Sequence, residues 1–352
     1  MIGNDLTGVL VDQVESAMAS KRPLVIESGG SKNFYGLPQP QEMDRICISA
    51  HSGIIDYAPD ELVITARAGT LLSDICQLLK DNNQILAFEP PDFENRSTIG
   101  GVVASGLSGP RRPYAGAVRD HVLGVRLLTG SGKVLTFGGQ VMKNVAGYDV
   151  SRLVVGAMGT LGLILDVSLK TLPAPEVERT YSIPTTILKF QKQLQAMSLS
   201  FPLSASMFDQ DNLLMRLSGS EVAVTRAASE LAGDEIDGCC WDKVNSLNRF
   251  DGVTNLWRIS VAPASQLFLA ESALIDWGGG LRWLADPDVD PREIISSEDG
   301  HATLMKYLPE SLAPDLEVFQ PLSGPVLEIQ QRLKRQFDPH GIFNPGRMYR
   351  GL

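Results

Sequence analysis

The stretch LVIESGGSKN at residues 24–33 places a short apolar run directly before a glycine pair flanked by serines. A second glycine-rich stretch, STIGGVVASG at residues 97–106, continues into GPRRP at residues 109–113. Glycine permits positive φ and lets a ligand approach the bare backbone, and consecutive amides in such a loop form an anion-binding concavity. The two stretches together predict a long phosphorylated cofactor that is held at two places.

Each stretch also has a plainer interpretation. Glycine pairs most often mark turns, so residues 29–30 could form an ordinary loop. Residues 98–106 could form a helix of small residues that packs closely on a sheet. Other nucleotide loops fit poorly, since GAMGTLG at 156–162 lacks the Rossmann spacing and precedes a strand-like run. GKV at 132–134 lacks the Ser or Thr that a Walker loop requires.

Length and composition describe a globular chain of two domains. The 352 residues are 43% hydrophobic and 20% charged, and a domain commonly has about 150 residues. The formal charge of −10 opposes nucleic acid as a partner, because phosphate backbones are bound through basic surfaces. No apolar run is long enough for a membrane span, and acidic residues stand where a signal peptide would be basic. We therefore expect a cytoplasmic chain without a transmembrane segment.

The cysteine pattern points away from metal and cluster binding. Cys47, Cys76, Cys239 and Cys240 include no CxxC pair, and the adjacent pair cannot by itself supply a zinc or iron–sulfur site. We expect no metal site and four unpaired thiols in a reducing compartment.

Periodicity and turn residues predict the elements and the domain division. Helices are predicted near residues 6–18, 71–79 with Thr70 as N-cap, 188–197, 222–231 and 326–337. Strands are predicted at 24–27, 45–49, 61–67, 122–129, 134–137, 161–170, 213–217 and 256–261, with a hairpin turn at 130–133 and the strand at 161–170 closing the first sheet. Prolines at 173 and 175 mark a boundary. The predicted units are a first domain at 1–174, an α+β domain at 175–335 and a turn-rich tail at 336–352.

The order of these motifs resembles the vanillyl-alcohol-oxidase-type FAD-binding family, which includes para-cresol methylhydroxylase (PCMH). The order is a strand, the SGGS loop at 28–31, further strands, EPP at 89–91, IGGVVASG at 99–106, an Arg-rich loop and a hairpin. A closer match within the family, to the FAD-binding subunits of bacterial glycolate oxidases, is carried by ELVITARAGT at 61–70, EPP at 89–91, GLSGPRRP at 106–113, GGQVMKNVAGYD at 138–149, GTLG at 159–162, FDP at 337–339 and NPG at 344–346. The resemblance implies an α+β fold, with a two-part PCMH-type FAD-binding domain followed by a smaller α+β C-terminal domain.

The resemblance also implies FAD as the cofactor and assigns residues to it. The first loop would wrap the pyrophosphate, the second would pass along the cofactor, and residues 159–164 would lie near the adenosine end, while the tail would return towards the isoalloxazine ring. Successive backbone amides and a cation suit phosphate oxygens. The residues implicated are Ser28, Gly29, Gly30, Ser31, Lys32, Asn33, Pro91, Thr98, Gly100, Gly101, Ser105, Gly106, Asp120, Gly159, Gly162, Ile164 and Asn344.

The first loop bears on how FAD is attached. Many relatives bind FAD covalently through a histidine in or near this loop, whereas this chain has Ser31-Lys32 there and its histidines are His51, His121, His301 and His340. We expect non-covalent FAD.

Within the family, the resemblance is closer to the FAD-binding subunits of bacterial glycolate oxidases. It implies a part in the oxidation of glycolate to glyoxylate, with a second FAD-containing subunit and an iron–sulfur subunit as partners. Such a subunit need not be active alone, and any membrane association would run through its partners. The alternatives are a self-sufficient flavin dehydrogenase or oxidase for another 2-hydroxy acid or a sugar, and a structural subunit without flavin.

Residues for the chemistry itself are harder to assign. Oxidation of a hydroxy acid requires a cation for the carboxylate and a base within reach of the hydroxyl. Arg111, Arg112 and Arg119 are candidates for the first role, and His121 and Tyr148 for the second. Structural roles account equally well for these residues, so the catalytic group stays unassigned.

Overall fold

The computed structural model describes residues 3–139, 149–266, 268, 271–295, 300–308 and 317–352. In the first half its helices are α1 (Thr7–Ser20), α2 (Leu72–Asp81), α3 (Ile99–Ser105), α4 (Arg112–Ala115), α5 (Val118–His121) and α6 (Val150–Leu153). The strands are β1 (Leu24–Glu27), β2 (Asp44–Cys47), β3 (Ile54–Ala58), β4 (Val63–Arg67), β5 (Gln84–Ile85), β6 (Val122–Leu128), β7 (Val134–Gly138), β8 (Leu163–Lys170) and β9 (Leu172–Pro173).

The first half is built in two parts, as the resemblance to the PCMH-type family implies. Strands β1 and β2 form a parallel pair, and β3-β4-β8-β6-β7 form an antiparallel five-stranded sheet. Helices α1 and α2 pack on this sheet through Leu10, Val14, Leu72, Ile75 and Leu79, which recur at helical spacing and are buried. The predicted helices, the predicted strands and the hairpin at 130–133 are confirmed in this half.

Two expectations about the first half are wrong in detail. The strand predicted to close the sheet, β8, lies at its centre between β4 and β6, which explains why almost every residue of it is buried. Thr70 does not cap α2. The helix starts after Leu71, and the Thr70 hydroxyl instead donates to the carbonyl of Arg67 (2.6 Å) and accepts from the amide of Gly53 (2.8 Å).

The second glycine stretch forms the short helix α3, as one of the two interpretations of residues 98–106 expected. Gly100 permits this packing, because a Cβ there would lie 2.6 Å from the Cβ of Ala68. The small residues therefore bring α3 against the end of β4. The helix is both close-packed and, as described below, part of a cavity wall.

The second half is an α+β assembly around a larger sheet. Its strands are β10 (Val177–Pro184), β11 (Leu203–Asp209), β12 (Asn212–Gly219), β13 (Asp234–Ile236), β14 (Leu256–Val261), β15 (Leu274–Asp276), β16 (Leu281–Ala285) and β17 (Gly300–Lys306). Its helices are α7 (Phe190–Ser198), α8 (Glu221–Glu230), α9 (Cys239–Asn245) and α10 (Gly324–Phe337). The strand order is β13-β10-β12-β11-β15-β16-β14-β17, and every pair is antiparallel.

The predicted elements of the second half are confirmed, but the sheet as a whole was not predicted. Strands β12 and β14 and helices α7, α8 and α10 match the predicted segments. The predicted boundary after residue 174 falls between β9 and β10, where the chain passes from the first sheet region to the second. The division into domains stays a prediction.

Ion pairs around the buried side chains of Arg111 and Arg216 join the two halves. Glu89 accepts from Arg111 (3.1 Å) in the first half and from Arg216 (2.6 Å) in β12, and Glu178 in β10 pairs with the same two arginines. Helix α4 also packs against β11. Removing Glu89 would leave two buried guanidinium groups with only the exposed Glu178 as an ion-pair partner among the described residues, so the network holds the halves in register.

Candidate cofactor-binding site

A cavity of about 330 Å³ lies between strand β1, the first glycine loop, helix α3, the segment 158–164 and the C-terminal tail. This volume is in the range of small-molecule and cofactor sites. The predicted cofactor residues that line it are Ser28, Gly29, Gly30, Ser31, Lys32, Asn33, Thr98, Gly100, Gly101, Ser105, Gly159, Gly162, Ile164 and Asn344. The two glycine stretches and the tail are thus brought together around one space.

Three residues assigned to the cofactor from sequence do not line this cavity. Pro91 lines a second, smaller cavity at the junction of the two halves. Gly106 ends α3 with a φ of 68°, and a Cβ there would lie 2.9 Å from the Cα of Gly156. Asp120 accepts from the amide of Ala117 (2.9 Å) at the start of α5. Gly106 and Asp120 thus have local structural tasks that account for their residue types.

Side-chain hydrogen bonds connect the two glycine stretches into one cradle. The Thr98 hydroxyl donates to the Ser28 hydroxyl (2.9 Å), and the Ser31 and Ser97 hydroxyls lie 3.0 Å apart. Gly29 makes the backbone approach possible, because a Cβ there would lie 1.7 Å from the carbonyl oxygen of Arg96. The cradle presents hydroxyls and loop backbone to the cavity.

Lys32 supplies the charge of this cradle. Its ammonium donates to the Ser97 hydroxyl (2.7 Å) and lies 5.4 Å from the centre of the Phe93 ring. Among the described residues no carboxylate lies within ion-pair distance of it. Burial lowers the pKa of Lys32 to about 8, partly offset by the more distant Asp92. A largely buried cation without a paired anion, set in a glycine loop, fits a phosphate group.

Arg347 in the tail forms hydrogen bonds to the backbone that follows the glycine pair of the first loop, a role that was not predicted from the sequence. Its guanidinium donates to the carbonyls of Tyr35 (2.6 Å), Leu37 (2.7 Å) and Asn33 (3.1 Å). The residue directly follows the NPG motif. Its carbonyl partners are 310 to 314 residues away in the chain, so no neighbouring residues could have indicated the role. Arg347 thus orders the backbone that follows the glycine pair.

Gln39 was also not predicted from the sequence, although its side-chain oxygen Oε1 is a buried acceptor in the cavity wall that has no donor among the described residues. A buried acceptor of this kind calls for a donor from a ligand or water. The donor-rich cradle at Lys32 and this free acceptor together fit a cofactor that carries phosphates and a hydrogen-bonding ring system.

Comparison with known proteins identifies the family. The FAD binding domain family matches residues 8–138. Over 99% of its length the chain is 43% identical to the glycolate oxidase subunit GlcE of Escherichia coli (strain K12), and the match covers 99% of that protein. This chain belongs to the GlcE family of glycolate oxidase subunits.

Other relatives share parts of the chain or its fold. Glycolate oxidase subunit GlcD of Bacillus subtilis (strain 168) is 25% identical over 65% of this chain and 49% of its own length. D-lactate dehydrogenase of Anaerostipes hadrus is 32% identical over 40% of this chain and 29% of its own. A solved alkyldihydroxyacetonephosphate synthase shares the fold at 16% identity, with a TM-score of 0.66 over 96% of this chain and 75% of that one. This GlcE family member is an FAD-binding oxidoreductase subunit, and FAD is its cofactor.

The structure gives most of the proposed catalytic side chains other partners. Arg111 is held by the carboxylates of Glu89 and Glu178. Both ring nitrogens of His121 face carbonyl oxygens, those of Ala115 (2.9 Å) and Lys170 (3.3 Å), and the residue is 3% exposed. Neither side chain has a free group for a substrate, so these two assignments are not supported.

The remaining candidates differ in their surroundings. Arg112 is half-buried, and its guanidinium stacks 4.3 Å over the ring of Trp277. Arg119 is exposed on α5. Tyr148 lies outside the described residues. Of the arginines proposed from sequence, only Arg112 combines burial with the absence of a carboxylate partner among the described residues.

Within the part of the chain that the structure describes, no three His, Cys, Asp or Glu side chains are grouped as metal ligands would be. Nor is any helix in those residues long and apolar enough to cross a membrane.

Replacement of Asn344 by alanine is expected to lower the free energy of unfolding by about 2–6 kcal/mol. Asn344 is buried, accepts from the amide of Ile26 (2.8 Å) and donates to the carbonyl of Met158 (2.7 Å), so the change leaves two buried groups without partners at about 1–3 kcal/mol each. Urea denaturation of the FAD-free chain measures the loss. Asn248→Ala, at an exposed position, is the control and should change stability by less than about 0.5 kcal/mol. Equal losses in the two variants would contradict the role of Asn344.

Proposed function

We propose that this chain is the FAD-carrying subunit of a glycolate oxidase complex and takes part in the oxidation of glycolate to glyoxylate. Electrons would leave through its flavin to an iron–sulfur partner, and a second FAD-containing subunit would complete the enzyme. The observation that carries the proposal is the glycine cradle around Lys32 in a chain that matches GlcE along 99% of its length.

The residues of this chain would bind and orient the cofactor. We propose that Lys32 and the loop 28–33 hold the pyrophosphate and that the wall formed by α3 flanks the length of the cofactor. The 159–164 segment would meet the adenosine end, and Asn344 would anchor the tail beside it. When bound, FAD supplies hydride and electron transfer.

The contacts of Arg111 and His121 support a subunit role. Arg111 and His121, which could have bound a hydroxy acid directly, are held in structural contacts.

The four cysteines are free, as expected in a reducing compartment. We therefore propose a cytoplasmic complex, with any contact to a membrane made by its partners.

Purification of the tagged chain from its native host, followed by identification of the bound chains, tests the assembly. We expect a second flavoprotein and an iron–sulfur protein to copurify, and anaerobic glycolate to bleach flavin absorbance in the complex. Full glycolate activity in the isolated chain would favour a self-sufficient dehydrogenase instead. A colourless chain that binds no added FAD would leave only a structural role.

The flavin is expected to be released when the purified protein is precipitated with acid. Among the described residues that line the cavity there is no histidine, cysteine or tyrosine to form a covalent link. Absorbance of the supernatant and of the washed pellet measures the distribution. Flavin retained in the pellet would show a covalent attachment and contradict the proposal.

A further inference from the structure

A second cavity of about 30 Å³ lies where the two halves of the chain meet. The loop 107–110 forms one wall, directly after α3, and strands β14, β15 and β16 form the other. Phe93 lines this cavity and also lies under the Lys32 ammonium of the cofactor cradle, so the two cavities are neighbours. The volume suits a ligand of a few non-hydrogen atoms, since about 10–15 Å³ already holds one water.

Arg258 brings to this cavity a guanidinium that has no hydrogen-bond or ion-pair partner among the described residues. Its guanidinium stacks 4.8 Å over the Trp277 ring, and Arg112 stacks over the same ring at 4.3 Å. Within the described residues neither guanidinium has a hydrogen bond or an ion pair. Burial lowers the pKa of both groups, and for Arg258 the nearby Arg112 adds to this effect while Tyr35 and Asp276 oppose it. Two neighbouring cations without a hydrogen-bonded acceptor favour the binding of an anion beside them.

Trp283 provides a second and independent sign of a missing ligand. Its indole Nε1 is buried and has no acceptor within the described part of the chain, and the residue is 5% exposed and lines the cavity. An indole N–H can only donate, and buried donors nearly always find a partner. The Arg258 guanidinium and the Trp283 N–H thus both lack an acceptor among the described residues and line the same small space.

The one carboxyl group among the described residues of the cavity wall does not fill this role. Asp276 accepts from the amide of Trp277 (2.6 Å) and forms no ion pair with the guanidinium of Arg258. Burial raises the pKa of Asp276 to about 7, which reduces its negative charge near neutral pH. Its repulsion of an incoming anion is correspondingly weakened.

We propose that this second cavity binds the carboxylate of a small 2-hydroxy or 2-oxo acid, with Arg258 as counter-ion and the Trp283 N–H as donor. The planar guanidinium matches a carboxylate through paired hydrogen bonds. The small volume excludes a sugar or a nucleotide. The assignment rests on the proposed function, because it gives this FAD-carrying chain a binding site of its own for the acid that the complex oxidises.

Titration of the isolated FAD-loaded chain by calorimetry and tryptophan fluorescence tests the site. Glycolate and acetate are expected to bind, and ethylene glycol, which lacks the carboxylate, is not. Arg258→Gln should weaken glycolate binding about tenfold or more, the loss typical of a charge-assisted hydrogen bond. Arg335→Gln, on the exposed face of α10, is the matched control and should bind glycolate normally.

Trp283→Phe is the second variant, since it removes the N–H but keeps the ring contact with Phe250 at 5.1 Å. We expect it to weaken glycolate binding by a smaller factor and to keep the protein folded even if Arg258→Gln does not fold. Unchanged glycolate affinity in a folded Arg258→Gln or Trp283→Phe variant, or no glycolate binding to the wild-type chain, would overturn the proposal. Inorganic phosphate binding as tightly as glycolate would overturn the carboxylate assignment.

The result separates this inference from the proposed function. FAD content and bleaching by glycolate in the complex measure the proposed function, whereas glycolate binding to the isolated chain measures the second cavity. A yellow chain in an active complex with no glycolate site of its own would remove this inference alone.

Discussion

Replacement of Gly29 by alanine is expected to reduce the affinity of the chain for FAD about a hundredfold. A Cβ at this position would lie 1.7 Å from the carbonyl oxygen of Arg96, which is backbone and cannot rotate away. The two glycine stretches must therefore move apart, and overpacking of this kind costs about 1–3 kcal/mol. Separation also breaks the Thr98 to Ser28 hydrogen bond of the cradle.

Equilibrium titration of the FAD-free variant by flavin fluorescence measures this affinity. Gly8→Ala is the matched control, because Gly8 lies on the exposed side of α1, where an added Cβ would meet no atom within 4 Å. The control should bind FAD like the wild type and gain up to about 1 kcal/mol in stability from helix propensity. Circular dichroism confirms that both variants fold. Wild-type FAD affinity in Gly29→Ala would show that the cradle does not hold the cofactor.

Replacement of Lys32 by glutamine is expected to reduce FAD affinity at neutral pH by about tenfold to a hundredfold. The protonated ammonium is the cation of the cradle, and a hydrogen bond between charged groups contributes about 1.5–3 kcal/mol. Burial lowers the pKa of Lys32 to about 8 in the free protein. Above that pH the free protein loses the charge, so binding of a phosphate must take up a proton.

The wild-type affinity should therefore fall as pH rises above about 8, by up to about tenfold per pH unit from this one proton. Lys32→Gln has no such proton, and its affinity should stay flat over the same range. Lys32→Arg keeps its charge throughout, because the guanidinium does not titrate there, and should also be flat while binding more tightly than the glutamine variant. A wild-type profile that stays level from about pH 8 to 9.5 would contradict the placement of phosphate at Lys32.

Residues with local conformational demands could be predicted from the sequence. Gly29 and Gly30 stand between an apolar strand and a polar loop, and this local pattern predicted the cradle. The hairpin at 130–133 and helices α1 and α2 followed from turn residues and periodicity in the same way. The family pattern also assigned Gly106 and Asp120 to the cofactor. In the structure Gly106 ends α3 and Asp120 accepts a hydrogen bond at the start of α5, and neither lines the cavity.

The sequence by itself determined the family, the FAD cofactor and the loops that flank the cavity, because each depends on neighbouring residues in a recognisable order. Only the tertiary structure decided which charges are free. Arg111 and Arg112 are adjacent in sequence, yet the packing of the two halves pairs the first with Glu89 and leaves the second on Trp277. The burial and the ion-pair partners of a side chain depend on which distant strands pack together. The residue pattern along one segment does not specify that packing.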